Sequence, residues 1–197
     1  MSSEVRERII YSAIELFANK SFHETKVDEI AELSGVAKGT VYLYFKSKEE
    51  LLREALNFVF EKMLENYEID ESKSFDENIY SVITKNIKFV GENIYFYKMM
   101  FSGMYRGIRG DFKNNGEFCF TSVINKVKYL LKKGIDEGFV RTDIDLDNLS
   151  ILVSNIIFSS LMNVAIVRVL NKNLNFDEDK FKEDVYKFLL EGIRRKV

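Results

Sequence analysis

Within seven residues, Lys38-Gly-Thr-Val-Tyr-Leu-Tyr44, the chain places a lysine, a threonine and two tyrosines, and Lys48 follows four residues later. These residue types suit a polyanion. A lysine ammonium or a tyrosine hydroxyl reaches phosphate oxygens, a threonine reaches a phosphate or a base edge, and Gly39 lets backbone come close. The window 34–48 holds Lys38, Lys46 and Lys48 and no acid, whereas the whole chain of 197 residues has a net charge of −2. A basic patch on an acidic body attracts phosphate locally. It argues against a protein that coats nucleic acid without regard to sequence. The other chemistries are poorly supplied. One His23 and one Cys119 exclude His-pair metal sites, Cys-rich zinc sites and an internal disulfide framework. There is no Gly-rich phosphate loop and no nucleophile–base set, so neither catalysis, nor a cofactor, nor a metal is expected.

The elements that must hold this patch are helical. Apolar residues recur at three and four along the whole chain, no segment alternates with period two, and proline is absent. The fold class is therefore all-α. Val27, Ile30 and Ala31 mark a short helix that Gly35 ends, and a second short helix starts near Ala37. Two helices separated by about three residues make a helix-turn-helix. Its second helix exposes Lys38, Gly39, Thr40, Tyr42, Leu43 and Tyr44, while Ile30, Val36 and Val41 close the core. The spacing alone also fits a helical hairpin with no nucleic-acid role. Ser47 with Glu50 and Ser74 with Glu77 fit the reciprocal capping box, and Thr25 with Asp28 and Asn175 with Glu178 are looser versions. Glycines 103, 107, 110 and 116 predict a loop or broken helices over 102–116.

From Ile9 to Leu52 the sequence resembles the DNA-binding domain of the TetR family of bacterial transcriptional regulators. The matching residues are Ala13, Leu16, Phe17, Phe22, Thr25, Ile30-Ala31, Gly35-Val36, Lys38-Gly39-Thr40, Tyr42, Tyr44-Phe45, Lys48-Glu49 and Leu51. Ser21 departs, standing where the family usually has glycine before the aromatic. The resemblance implies that Lys38, Gly39, Thr40, Tyr42, Tyr44 and Lys48 contact operator DNA, that Thr25 is a phosphate-contacting helix start, and that Phe45 is core. It also implies a homodimer and repression relieved by a small molecule. The expected division is a reading head over 1–52 and an effector-binding and dimerisation body over 53–197.

The body carries its own signals. Aromatic and methionine residues crowd the stretch 94–120, and from Ile94 to Tyr105 the single charge is Lys98. Such side chains either fill an ordinary core or line an adaptable apolar pocket. The candidates for contact with a mainly apolar effector are Phe60, Met63, Tyr97, Met100, Phe101, Met104, Tyr105, Phe158 and Met162. Cys119 is expected as a small buried hydrophobe, and His23 as a surface residue of a turn. Residues 151–170 are apolar but interrupted by Ser154, Asn155, Ser159, Ser160, Asn163 and Arg168, which favours a packed helix over a membrane span. Asn155, Ser159 and Asn163 form a small-polar stripe, read as close packing on neighbours. The last two helices are expected to pair across a two-fold axis. The charged N-terminus lacks an apolar signal core, so a cytoplasmic location is expected.

Overall fold

The computed structural model describes residues 2–101, 109–170 and 175–195, with 109–117 as backbone only. The described elements are α1 (Ser3–Lys20), α2 (Val27–Ser34), α3 (Lys38–Tyr44), α4 (Lys48–Glu65), α5 (Phe75–Glu92), α6 (Ile94–Phe101), α7 (Arg109–Asp136), α8 (Leu146–Leu170) and α9 (Glu178–Ile193). Among the described residues there is no strand, only an isolated bridge between Val140 and Arg194. The chain divides into two compact units, Met1–Glu61 with Asn93–Gly116, and Lys62–Glu92 with Glu117–Val197. The aromatic helix α6 therefore belongs with the reading head, an assignment that no local sequence pattern announces.

In the first unit α1 packs on α2 and α6, and α2 packs on α3. Ile9, Ile10, Ala13 and Phe17 of α1, Ile30 and Ala31 of α2, Val41 of α3, and Leu51, Leu52 and Ala55 of α4 are all buried. Phe96, Tyr97 and Met99 of α6 are buried as well. The turn after α1 holds Ser21 at φ 84°, ψ 158°, a region that glycine occupies and other residues enter at a cost of about 1–3 kcal/mol. Its hydroxyl donates to Glu24 at 3.0 Å and accepts from the Glu24 amide at 3.4 Å, a partial return on that strain. Ser21→Gly is expected to stabilise the chain by about 1 kcal/mol in urea unfolding, since relief of strain outweighs both the lost bonds and glycine's extra freedom when unfolded. A destabilised variant would show that the hydroxyl matters more than the backbone.

In the second unit α5 packs on α8 and α9, and α8 on α9. Two tyrosines tie α5 to α9. Tyr80 donates to Glu183 and Tyr186 to Asp76, each at 2.7 Å, and their rings meet edge to face at 5.0 Å. Buried Asn78 staples the preceding turn to α5: its amide nitrogen donates to the Asp70 and Ser74 carbonyls at 3.0 Å, and its oxygen accepts from the Asp70 amide at 2.9 Å. Gly138, at φ 74°, follows the end of α7 in the left-handed conformation. Gly91 leaves room for the Arg168 guanidinium, which would stand 2.2 Å from a β-carbon there and is held by two bonds to Glu178.

Several local expectations need correction. Residues 109–116 are helical, the first turns of α7, so Gly110 and Gly116 do not break the chain; residues 102–108, with Gly103 and Gly107, lie outside the described residues. Thr25 is not a cap. Its hydroxyl donates to the Ser21 carbonyl, and Glu29 instead accepts the Lys26 amide at 3.1 Å. Asp177 rather than Asn175 caps α9, accepting from the Lys180 amide at 3.0 Å. At α4 the box is shifted: Ser47 accepts from the Glu50 amide at 3.1 Å, while the Glu50 carboxylate takes the Lys46 amide at 2.5 Å. The box of Ser74 and Glu77 is complete. The stripe Asn155, Ser159, Asn163 is exposed, and the small residues buried on α8 are Ser150, Ser154, Ser160 and Ala165. By length and composition α8 is apolar enough to cross a membrane. Its inner face is core, with Val153, Ile157, Leu161 and Val164 buried.

Candidate nucleic-acid interface

The turn that presents α3 is built by Gly35. At φ 68° it donates its amide to Glu32, and Val36 donates to Ala31 at 3.0 Å. This is the paired arrangement that closes a helix end around a left-handed residue. A β-carbon at Gly35 would meet nothing within 4 Å, so the glycine is there for its backbone and not for space. Ala31 and Val41 then lock α2 to α3, both buried. With Val41 inward, Lys38, Gly39, Tyr42 and Leu43 are turned outward and Thr40 is half-buried.

The candidate residues fall into three groups. Lys38, Gly39, Thr40 and Tyr42 stand together on the outer side of α3. Lys38 pairs with Asp28 at 2.9 Å, and that carboxylate holds its ammonium above the ordinary lysine range. Both groups are exposed, so the pair is easily exchanged for a phosphate. Tyr44 ends α3 and Lys48 opens α4, and both are already engaged. Tyr44 donates to the Ser2 carbonyl at 3.1 Å. Lys48 donates to the carbonyls of Phe22 at 2.7 Å and Thr25 at 2.9 Å, with its nitrogen 4.4 Å from the Phe22 ring centre. Of the three ammonium donors, two are spent on the turn and one is left over. Thr25 forms the third group by itself. Its side chain is 1% exposed, with the hydroxyl 2.6 Å from the Ser21 carbonyl, so it supports the turn from inside. The clasp of Lys48 on the 22–25 turn was not readable from sequence, because it joins residues 23 and 26 positions apart.

The candidate effector residues are spread over both units. In the first, Tyr97 is buried, and Phe60 lies edge-on to Phe96 at 5.8 Å; Met100 and Phe101 are half-buried. In the second, Met63 and Met162 are half-buried, and Phe158 is on the exposed side of α8. Met104 and Tyr105 lie outside the described residues. Cys119 is buried, and desolvation pushes its thiol up to about 11. It is an unreactive core residue. His23 is exposed on the 22–24 turn, its ring 5.5 Å from that of Phe22.

The sequence pattern of the bacterial regulatory proteins of the tetR family matches residues 9–55, which contain all seven DNA candidates. The fatty acid metabolism regulator protein of Bacillus subtilis is 26% identical over 195 residues, spanning 96% of this chain and 95% of that one. Residues 9–55 are a TetR-family DNA-binding domain. The chain is accordingly a DNA-binding transcriptional regulator, and α2 and α3 are its helix-turn-helix. Solved structures of such regulators have the same fold from end to end. FadR from Bacillus subtilis, in complex with stearoyl-CoA, has a TM-score of 0.73 and 25% identity, covering 95% of this chain and 98% of that one. FadR from Bacillus halodurans has a TM-score of 0.77 and 20% identity over the whole of both chains, a likeness of fold alone.

Proposed function

We propose that this regulator is a TetR-family repressor that binds a two-fold operator with α3 of each protomer and releases it when a fatty acyl thioester binds. Lys38, Gly39, Thr40, Tyr42, Tyr44 and Lys48 are the residues of the DNA contact, with Thr25 behind them. The division of labour falls near Arg53, inside α4, with residues 1–52 reading and 53–197 sensing and pairing. A cytoplasmic location follows from binding chromosomal DNA. The observation that carries the DNA reading is the outward set on α3: a lysine, a tyrosine and an open glycine in five residues, with half-buried Thr40 among them, turned away from a core that Val41 and Ala31 hold shut.

The effector class rests on the likeness to a regulator solved with stearoyl-CoA across 95% of this chain. A mainly apolar ligand also suits the aromatic and methionine residues nominated in sequence. In this reading α6 is the relay. It packs on α1 in the same compact unit as the reading head, through buried Phe96, Tyr97 and Met99. A ligand that favours one position of α6 thereby favours one setting of α1 and α3. The lever is α4, which starts with Lys48 and continues unbroken into the second unit. Only a difference in affinity between the two settings moves the equilibrium.

The test uses the purified chain and an operator selected from random duplexes. Stearoyl-CoA is expected to weaken operator binding tenfold or more, equivalent to a coupling of about 1.4 kcal/mol. Coenzyme A alone and stearate alone are expected to do much less. Operator binding that stearoyl-CoA leaves unchanged would remove the acyl-thioester reading and leave the DNA reading standing.

A further inference from the structure

Leu43 is 74% exposed, more than Tyr42 beside it, although leucine gains most of any side chain type on this helix from being covered. It lies one helical turn beyond Gly39, so the two share one outer strip of α3. At Gly39 a β-carbon would meet nothing within 4 Å. The protein's own packing therefore does not require a glycine there, and the open space is available to whatever the strip faces. Exposed Lys38 precedes the strip on α3, and exposed Lys46 follows it just after the helix ends. An apolar side chain flanked along the chain by cationic groups suits a partner that is anionic at its rim and apolar at one point inside. A DNA major groove has that character. Phosphates line its edges, and of the four base pairs only those with thymine present a methyl group, at C5, to a probing side chain.

We infer that Leu43 is a specificity-determining residue that packs against the C5-methyl of a thymine in each operator half-site, with Gly39 giving the backbone room to seat the helix that deep. The inference rests on the DNA reading of α3 and adds what the polar contacts do not supply. Lysine and tyrosine on phosphates set the register, whereas a methyl contact tells thymine from cytosine.

Deoxyuridine tests this directly, because it removes the methyl and keeps every hydrogen-bonding group of thymine. The full chain is measured against its selected operator, with each thymine replaced in turn. At one thymine per half-site the replacement is expected to weaken binding about fourfold, the worth of one buried methyl, and about 15-fold when both half-sites are changed. In Leu43→Ala that penalty is expected to vanish at the same position while the others persist. Leu43 is not part of the core, so the variant should unfold at the parent temperature. The inference is overturned if Leu43→Ala binds like the parent with the same deoxyuridine profile, or loses affinity equally for selected and random duplexes. It is also overturned if the variant leaves DNA binding intact and changes the sedimentation of the chain, which would make Leu43 a protein contact. A chain that selects no duplex at all refutes the reading of α3 itself.

Discussion

Phe45→Ala is expected to lower the unfolding temperature by roughly 10 °C or more and to abolish operator binding for that reason alone. Phe45 follows α3 directly and is 2% exposed. Its amide donates to the Val41 carbonyl at 2.9 Å, its ring touches that of Tyr44, and the Arg6 guanidinium covers it at 5.6 Å. Arg6 in turn reaches Glu54 of α4 at 2.5 Å. One ring is thus the meeting point of α1, α3 and the chain entering α4. Truncating a buried phenylalanine costs about 3–5 kcal/mol, through lost transfer energy and the cavity left behind. Domains are stable by only about 5–15 kcal/mol. The loss is therefore a large part of what holds α3 in place. Phe45→Leu fills most of the volume and should recover most of the unfolding temperature and the binding together. If Phe45→Ala kept its melting temperature within about 2 °C yet lost the operator, Phe45 would be a contact residue and no part of the core.

That pairing of Phe45 with Leu43 shows where sequence reasoning succeeds. Two apolar residues, two positions apart, have opposite fates, and a 3.6-residue period separates them once Val41 is fixed as inward. The helix stop at Gly35 was equally legible, because a left-handed residue between two amphipathic stretches has few other uses. Ser21 is the instructive case. The sequence departs from glycine, and the backbone keeps a glycine's torsion angles all the same. The surrounding packing of Phe17 against Phe22, with ring centres 5.4 Å apart, fixes the turn more strongly than the residue's own preference.

What was not legible depends on distant partners. Lys48 looks like a free phosphate ligand in sequence, yet most of its donors go to a turn more than twenty residues earlier. Lys38 looks free too, and Asp28 reaches it from the preceding helix. The aromatic and methionine cluster of 94–120 reads in sequence as core or as pocket wall alike, and only folding shows that Phe96, Tyr97 and Met99 are buried in the first unit beside α1. Periodicity shows that a face is apolar. It does not say which of two neighbours, or which second protomer, covers it.

The second protomer is where the largest effect on function is expected. In the second unit the outer sides of α8 and α9 form a groove lined by Leu152, Asn155, Ile156, Ser159, Val185 and Phe188, among others. Phe188 is 66% and Leu152 53% exposed, and Asp184 is the one charged residue lining it. We expect two copies to join there as a four-helix interface, which covers these side chains and sets the two reading helices one DNA turn apart, about 34–36 Å. An aromatic anchor at such a centre carries much of the binding energy. A carboxylate in its place would be buried without a partner, which costs several kcal/mol per copy and occurs twice across the axis. Phe188→Asp is therefore expected to sediment as a monomer at micromolar concentration. The same variant should keep its helical content, since Phe188 contributes little to the fold of its own chain. Operator affinity should then fall roughly 10²–10³-fold, because one α3 supplies only half of the specific contacts. Affinity for random duplex should fall much less. A Phe188→Asp chain that remains dimeric would place the two-fold axis elsewhere on the second unit, and a monomer that still binds the operator at full strength would show that one reading head suffices.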